Sequence, residues 1–355
     1  MRSVLSWFIL LATACSSPAE DLPQVTDEPA PAVTEVSPVG LIEGVPTDVS
    51  QSLAGANRPD ATGALGRNRA GYFHVRFQIG VSDLGQHAAR SGDTTSAAYA
   101  LAALAYAEAY QLPAGDYALV VPSSLSGQPP ATAADLASGV SFFLGAAGTS
   151  LLALEAAPWF QQSEATSLRA RREARLPSLR RATDYLVAQR DALLAVDAHA
   201  TNRLLHNAVA YWSTGRVLDH ASARAEGRAI LQTALAAQHP NGFFLENGGY
   251  DSSYNAVSLL KGLLLWAQLP AGDADRLRLW QALWRAAQWQ RTRVLASGEI
   301  STQGNTRVYP GGESFLGEPK SVAAADCALA FWMIGRLAQR PDYTDAANRI
   351  RAHYN

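Results

Sequence analysis

Cysteine and lysine are nearly absent from this 355-residue chain, which has two cysteines (Cys15, Cys327) and two lysines (Lys261, Lys320). With one cysteine inside an N-terminal export-type segment, Cys327 has no partner, so an intramolecular disulfide and a cysteine-paired zinc site are both excluded. Cys327 sits in the apolar run AAADCALAFW, the context of an inert buried thiol. No P-loop, G-x-S-x-G, H-E-x-x-H or dinucleotide fingerprint is present, and no cofactor or metal is called for. Alternating β patterning is scarce; only GYFHVRFQIGVSD (71–83) reads as a strand, and it reads equally well as a first helix. Between Leu136 and Leu154 there is no charge, but scattered Gly, Ser and Thr mark a close-packed core helix rather than a membrane span.

The N-terminus, MRSVLSWFILLATACSS, has Arg2, an apolar run from Val4 to Leu11 and small residues before Cys15. That is the layout of an export signal. Ala12-Thr13-Ala14-Cys15 resembles a bacterial lipobox, which implies a signal over 1–15 and lipidation of Cys15. Ser16 after the cysteine implies retention at the outer membrane, with the lipid as the only membrane contact. Residues 16–57 are rich in Pro, Ala, Thr and acid, without Lys or Arg. Such a segment cannot bury enough surface to offset its chain entropy. It is expected to be a disordered tether running to about residue 65, with the folded domain over 66–355.

Leaving out residues 1–57 removes one base (Arg2) of 29 and seven of 31 acids. The remainder carries 28 bases against 24 acids, a net +4 that is almost all arginine. That surplus suits planar carboxylates and is too small and scattered for nucleic acid. From residue 92 onward apolar residues recur at three- and four-residue spacing. Helices are expected over 94–110, 132–156, 176–196, 200–218, 221–238, 252–269, 274–295, 321–339 and 342–353. Short connections alternate with long, glycine- and aromatic-rich ones (157–175, 239–251, 296–320). The last two are offset by about 56 residues, Gly242 to Gly298, so any repeat is architectural. Stacked helical hairpins with elaborate loops on one rim predict an all-α fold, an incomplete α/α toroid; an array of four-helix bundles is the alternative.

Two helix faces carry the functional expectation. On 202–216, Asn202, Arg203, His206, Asn207, Ser213 and Thr214 segregate from Leu204, Leu205, Ala208, Val209, Tyr211 and Trp212. A face of amides, imidazole and hydroxyls suits a ligand better than a merely solvated face would. On the next, Asp251, Tyr254, Asn255, Ser258 and Lys261 share a side, beside the turn Asn247-Gly248-Gly249-Tyr250-Asp251. Asp251 also fits a helix cap, and Arg307 fits a loop salt bridge to Glu313 or Glu318. Asp326, alone in an apolar helix, must find a partner or take up a proton.

The Asn/His helix followed by GFFLENGGYDSSY resembles α/α-toroid polysaccharide lyases of the heparinase II/III, chondroitin and alginate lyase type. The resemblance spans 200–320, without the C-terminal β domain of many such enzymes. It implies an acidic, uronate-containing polysaccharide cleaved by β-elimination. His206 would be the base, Tyr254 the acid, and Asn202 with Arg307 the neutralisers of the uronate carboxylate. Arg203, Asn207, Glu246, Tyr250, Asp251, Asn255, Asn305 and Glu313 would bind substrate. Two alternatives stay open: a glycoside hydrolase using the rim acids Glu246, Asp251, Glu299 and Glu313, and a non-catalytic glycan-binding lipoprotein.

Overall fold

The computed structural model describes residues 28–33, 36–121, 131–315 and 318–355. The expected signal, Cys15 and residues 16–27 lie outside the described residues. Ten helices pair into five hairpins: α3 (Val81–Ser91) with α4 (Thr94–Glu108), α5 (Ala133–Ala156) with α7 (Leu176–Ala188), α9 (Thr201–Val217) with α10 (Ala221–Ala236), α11 (Ser252–Trp266) with α12 (Ala274–Thr292), and α13 (Ala324–Leu337) with α14 (Pro341–Tyr354). Neighbouring contacts run α3–α5–α9–α11–α13, which makes these the inner wall and their partners the outer wall of an α/α toroid. Short helices α6 (Thr166–Glu173) and α8 (Arg190–Asp197) fill the outer layer. Within the described residues strand pairing is confined to a two-residue hairpin, Ser314–Phe315 with Glu318–Pro319, and isolated bridges. The ambiguous stretch 71–83 is neither expected element: Phe73 bridges Val120, a 3-10 turn covers 75–78, and α3 starts at Val81.

Small residues let the inner wall close. A side-chain carbon on Gly148 would lie 2.3 Å from Ser213 Oγ, and one on Gly85 1.8 Å from Ser150 Oγ. Helices α3, α5 and α9 therefore meet backbone to backbone. Helix α5 is apolar and long enough to span a membrane, but most of it is buried among these neighbours, as its charge-free composition predicts. Outside, Trp266, Trp280, Trp284 and Tyr343 form a ladder of ring contacts at 5.5, 6.5 and 5.5 Å. Each such buried aromatic contributes roughly 1.5–3 kcal/mol.

The architectural repeat is real: among the described residues three copies carry a bridge, and Gly63 repeats the turn without one (φ +99°, where a side-chain carbon would lie 2.6 Å from Ala102 O). After α4, α10 and α12 the chain makes the same turn, closed by Gly115 N–H to Leu112 O, Gly242 N–H to His239 O and Gly298 N–H to Leu295 O. A bridge follows each turn: Gln111 with Tyr117, Gln238 with Phe244, Val294 with Ile300. The glycines share φ of +99°, +97° and +89°, and each lies on a carbonyl of a neighbouring outer helix, Arg181, Arg285 and Arg349. Left-handed backbone and this close approach both require glycine.

The expected tether is corrected from residue 36 onward. Residues 38–42 form α1 and 47–56 form α2, both packed on the toroid. Helix α1 touches α3, α5 and α13 at the C-terminal ends of the inner helices, where Arg90 donates to Ile42 O and Val45 O. Helix α2 then packs along α3 toward its N-terminus, standing between the first and last hairpins as an unpaired sixth wall element. Composition misled here because a few apolar residues suffice: Leu41, Ile42, Val45 and Ala54 are buried against the toroid, and ion pairs and main-chain groups hold the rest. Glu28 pairs with Arg340 (2.9 Å), Glu43 with Arg336 (2.6 Å) and Asp48 with Arg351 (2.6 Å). Trp280 and Trp284 Nε1 donate to Pro31 O and Glu28 O. The lysine- and arginine-free acidic segment and the arginine-rich C-terminal helices are complementary halves of one interface.

Candidate functional site

The N-termini of α5, α9, α11 and α13 gather at one mouth, tied by Arg203 to Ser138 and by Ala323 N–H to Ser253 Oγ. The long loops build this rim. There Tyr254, in the first turn of α11, donates its hydroxyl to Glu313 Oε2 (2.9 Å) and accepts from Lys320 Nζ (2.6 Å). The Arg307 guanidinium lies 3.9 Å over the Tyr254 ring. It pairs bidentately with Glu313 (3.1 and 3.2 Å) and reaches Glu246 Oε2 (2.9 Å). Burial raises Glu313, but hydrogen bonds from Arg307, Lys320 and Tyr254 outweigh it and hold the carboxyl at about 2. Burial pushes Glu246 up to about 7, against the pull of the Asn202 N–H and Arg307. Burial, with Glu313 close by, also raises the Tyr254 hydroxyl.

Much of the expected binding set is used by the protein itself. Arg307 does clamp a carboxylate, but that carboxylate is Glu313. Asp251 is a cap: Oδ1 accepts from Ser253 and Tyr254 N–H, and Oδ2 from Arg307 and Val308 N–H. Asn207 joins Ser141 to Asp197, and Asn255 joins Phe244 N–H to Gln290. Asn305 holds Ser252 and Val308, and Tyr250 packs on Phe243 and Trp289 while donating to Gln303 O. Ser213 and Thr214 bond back to carbonyls one turn earlier. The amide face of α9 is thus largely consumed by pairing with neighbouring elements and with the helix's own carbonyls. Glu246 bonds Asn202 N–H (2.7 Å), whereas the buried Asn202 Oδ1 has no partner. Glu299 is exposed. Arg203 pairs with Asp197 and, with Arg307, Glu313, Asn247 and Tyr309, lines a polar cleft of about 440 Å³ at the rim.

Deeper on the axis is a cavity of about 310 Å³ enclosed by α2, α3, α5, α9, α11 and α13. It is at the small end of the range for small-molecule sites, ~300–1,000 Å³. Its chemistry comes from Asp83 and His87 on α3, His206 on α9, Lys261 on α11 and Asp326 on α13. Burial pushes Asp83 up to about 6, with Lys261 opposing and Asp326 adding to the rise. Burial raises Asp326 as well, again against Lys261. His206 packs on Phe142 with the rings tilted by 32° (4.1 Å between centroids), and burial together with Lys261, Arg76 and Arg203 holds it neutral, well below its ordinary value. Arg76 lies 4.2 Å over the Phe142 ring. The axis therefore reads downward from the Tyr254–Glu313–Arg307 cluster through Arg76 and His206 to Lys261 between two acids. Among the described residues no group of three or more His, Cys, Asp or Glu is arranged to hold a metal ion.

Of the expected residues, the structure brings Tyr254, Arg307, Glu246 and Glu313 together at the mouth and places His206 apart, in the cavity. Lys261 and Asp326 were legible from their helix faces but were not joined to a site. Asp83 was missed; its polar neighbours Gln86 and His87, at helical spacing, were the signal.

No family model matches the chain, and no curated protein matches it in sequence. Among solved structures, an unsaturated glucuronyl hydrolase variant bearing the oligosaccharide dGlcA-Glc-Rha-Glc is similar at 15% identity and a TM-score of 0.47. The match covers 89% of this chain and 83% of that one.

Proposed function

We propose that the axial cavity is a catalytic pocket for an acidic sugar residue, and that the protein cleaves the glycosidic linkage of a uronate-bearing glycan by general acid–base chemistry. The observation that carries this is the pair Asp83 and Asp326. Both acids line one pocket, both are raised by burial, and both face Lys261. A carboxyl at about 6 retains enough proton near neutrality to serve as a general acid. It would protonate the departing glycosidic oxygen, while the second carboxylate acts as base toward water or as nucleophile. Lys261, with the Arg76 and Arg203 charges above it, would attract the substrate's carboxylate. The acids implicated are therefore on the inner wall and not at the rim.

A second reading keeps β-elimination at the mouth. What favours it is Lys320 Nζ at 2.6 Å from the Tyr254 hydroxyl, with the Arg307 charge over its ring. Both groups would stabilise a tyrosinate. From the lipobox we also propose that Cys15 is acylated, so that the enzyme is tethered to the outer membrane.

The test is full-length protein on uronate oligosaccharides, following reducing ends and ultraviolet absorbance in parallel. Reducing ends formed without new absorbance, and lost about 10²-fold or more in Asp83→Asn and Asp326→Asn, are expected. New absorbance that disappears in Tyr254→Phe and survives in Asp83→Asn would replace hydrolysis with elimination. Binding without product would leave a glycan-holding protein.

A further inference from the structure

We infer that Asn57 is a positioning residue for Asp83, which makes the N-terminal helix pair a working wall of the pocket. The inference rests on the reading of Asp83 as a group of the site. Asn57 caps the C-terminus of α2, and its side-chain amide donates to Asp83 Oδ2 (2.8 Å) and to Leu53 O (3.0 Å). Both amide protons are thereby fixed, so the face it offers the carboxylate is fixed too.

Gly80 supplies an independent sign that this contact is built. Its backbone is ordinary right-handed helix (φ −59°, ψ −11°), a conformation any residue adopts. Yet a side-chain carbon there would lie 2.1 Å from Asn57 Oδ1 and 2.5 Å from its Cγ. Glycine is needed at this position for the space the Asn57 amide occupies, not for its backbone freedom.

The other groups around Asp83 are Lys261 from α11, Asp326 from α13, His206 from α9 and His87 one turn along α3, the last bonded to Ser50 of α2 (3.3 Å). Among the described residues none of these carries a hydrogen bond to the Asp83 carboxylate. Asn57 is its one side-chain donor among the described residues. A donor of this kind stabilises the ionised form and fixes the rotamer. Docking of residues 28–57 on the arginine-rich helices thus sets both the geometry of Asp83 and the pH at which it carries a proton.

The experiment reads Asp83 itself and needs no substrate: carbon-13 NMR titration of aspartate-labelled full-length protein, the resonance assigned by Asp83→Asn. Asn57→Ala removes the donor, and Gly80→Ala displaces it while leaving Asn57 in the sequence. Both should raise the Asp83 midpoint by about one pH unit or more, with Asp326 moving less. An unchanged midpoint in either variant, shown folded by its melting transition, overturns the inference. Glycan cleavage by the same proteins separates this from the catalytic reading. Inactivity of the unaltered chain would remove the catalytic role of Asp83 and leave its coupling to Asn57 measurable.

Discussion

Replacing Arg307 by methionine should destabilise the protein in a pH-dependent way, and the dependence follows from which acid loses its partner. Glu246 is fully buried and, among the described residues, takes its only side-chain donor from Arg307; its other oxygen is held by Asn202 N–H. Glu313 is about one-third exposed and keeps Lys320 and Tyr254 after the change. Removing one partner of a buried pair costs about 3–5 kcal/mol when the remaining group stays charged, whereas the Arg307–Glu313 contact is exposed on its Glu313 side and contributes less. The Glu246 carboxyl, already pushed up to about 7, rises further without Arg307. Because its folded value lies above its unfolded one, its contribution to stability is fully present below the unfolded value and is lost as pH rises through about 7. Below pH 6 the carboxyl is protonated in both proteins, and the substitution costs only hydrogen bonds, about 1–2 kcal/mol. Above pH 8 the unaltered protein keeps a paired carboxylate, whereas the variant must hold it unpaired or take up a proton to neutralise it. Glu313, held near 2, stays ionised across this window and adds no slope.

Thermal unfolding of the two proteins at pH 5.5 and 8.5 tests this. A melting difference of roughly 2–6 °C at the lower pH should widen to roughly 6–15 °C at the higher. Adding Glu246→Gln to Arg307→Met should recover most of the loss at pH 8.5, since a neutral amide still accepts from Asn202. An equal loss at both pH values, or no recovery in the double variant, would show that Glu246 is not governed by this pair.

Two further outcomes follow from the packing. Gly298→Ala places a carbon 2.1 Å from Arg349 O at a φ of +89° and should cost roughly 2–4 kcal/mol. Gly55→Ala, in a helix with nothing within 4 Å, should gain about 0.5–1 kcal/mol. Chemical denaturation of both reads the contrast, and equal effects would mean that the turn is not rigid. Deleting residues 1–57 removes one wall of the cavity and should lower the melting temperature and abolish any cleavage. A truncated chain that melts and cleaves like the full one would return this segment to the status of a tether.

The toroid was legible because its helices are long, alanine- and leucine-rich and periodic, and because loop length alternates between its two ends. What composition could not show was which helix faces stay wet. In a ring of hairpins an inner helix has neighbours on both flanks, the outer layer behind it and the cavity in front. A polar face such as that of α9 can therefore be consumed by buried pairing, as Asn207 is between Ser141 and Asp197. The lone acid of α13 was the better signal. Asp326 has no hydrophobic reason to exist, and it lines the cavity. Its counterpart Asp83 was hidden by the ambiguous stretch before it, where a bridge and a 3-10 turn give no clean period.

The acid-rich rim has a physical cause that does not require catalysis. Several inner helices point their N-termini at one mouth, so unpaired backbone N–H groups and positive dipole ends accumulate there. Acids in the loops answer that field: Asp135 closes a capping box on α5, Glu246 holds the first turn of α9, and Asp251 alone accepts four N–H groups. Such acids are conspicuous in sequence because they cluster with glycines and aromatics in long loops, and they are occupied for the same reason. The field they only partly cancel still favours an anion arriving along the axis, toward Arg76 and Lys261. Capping acids at the entrance and cavity acids below it are thus two consequences of one arrangement: the first set is occupied by backbone N–H groups and Arg307, whereas the second lines the open space a substrate would enter.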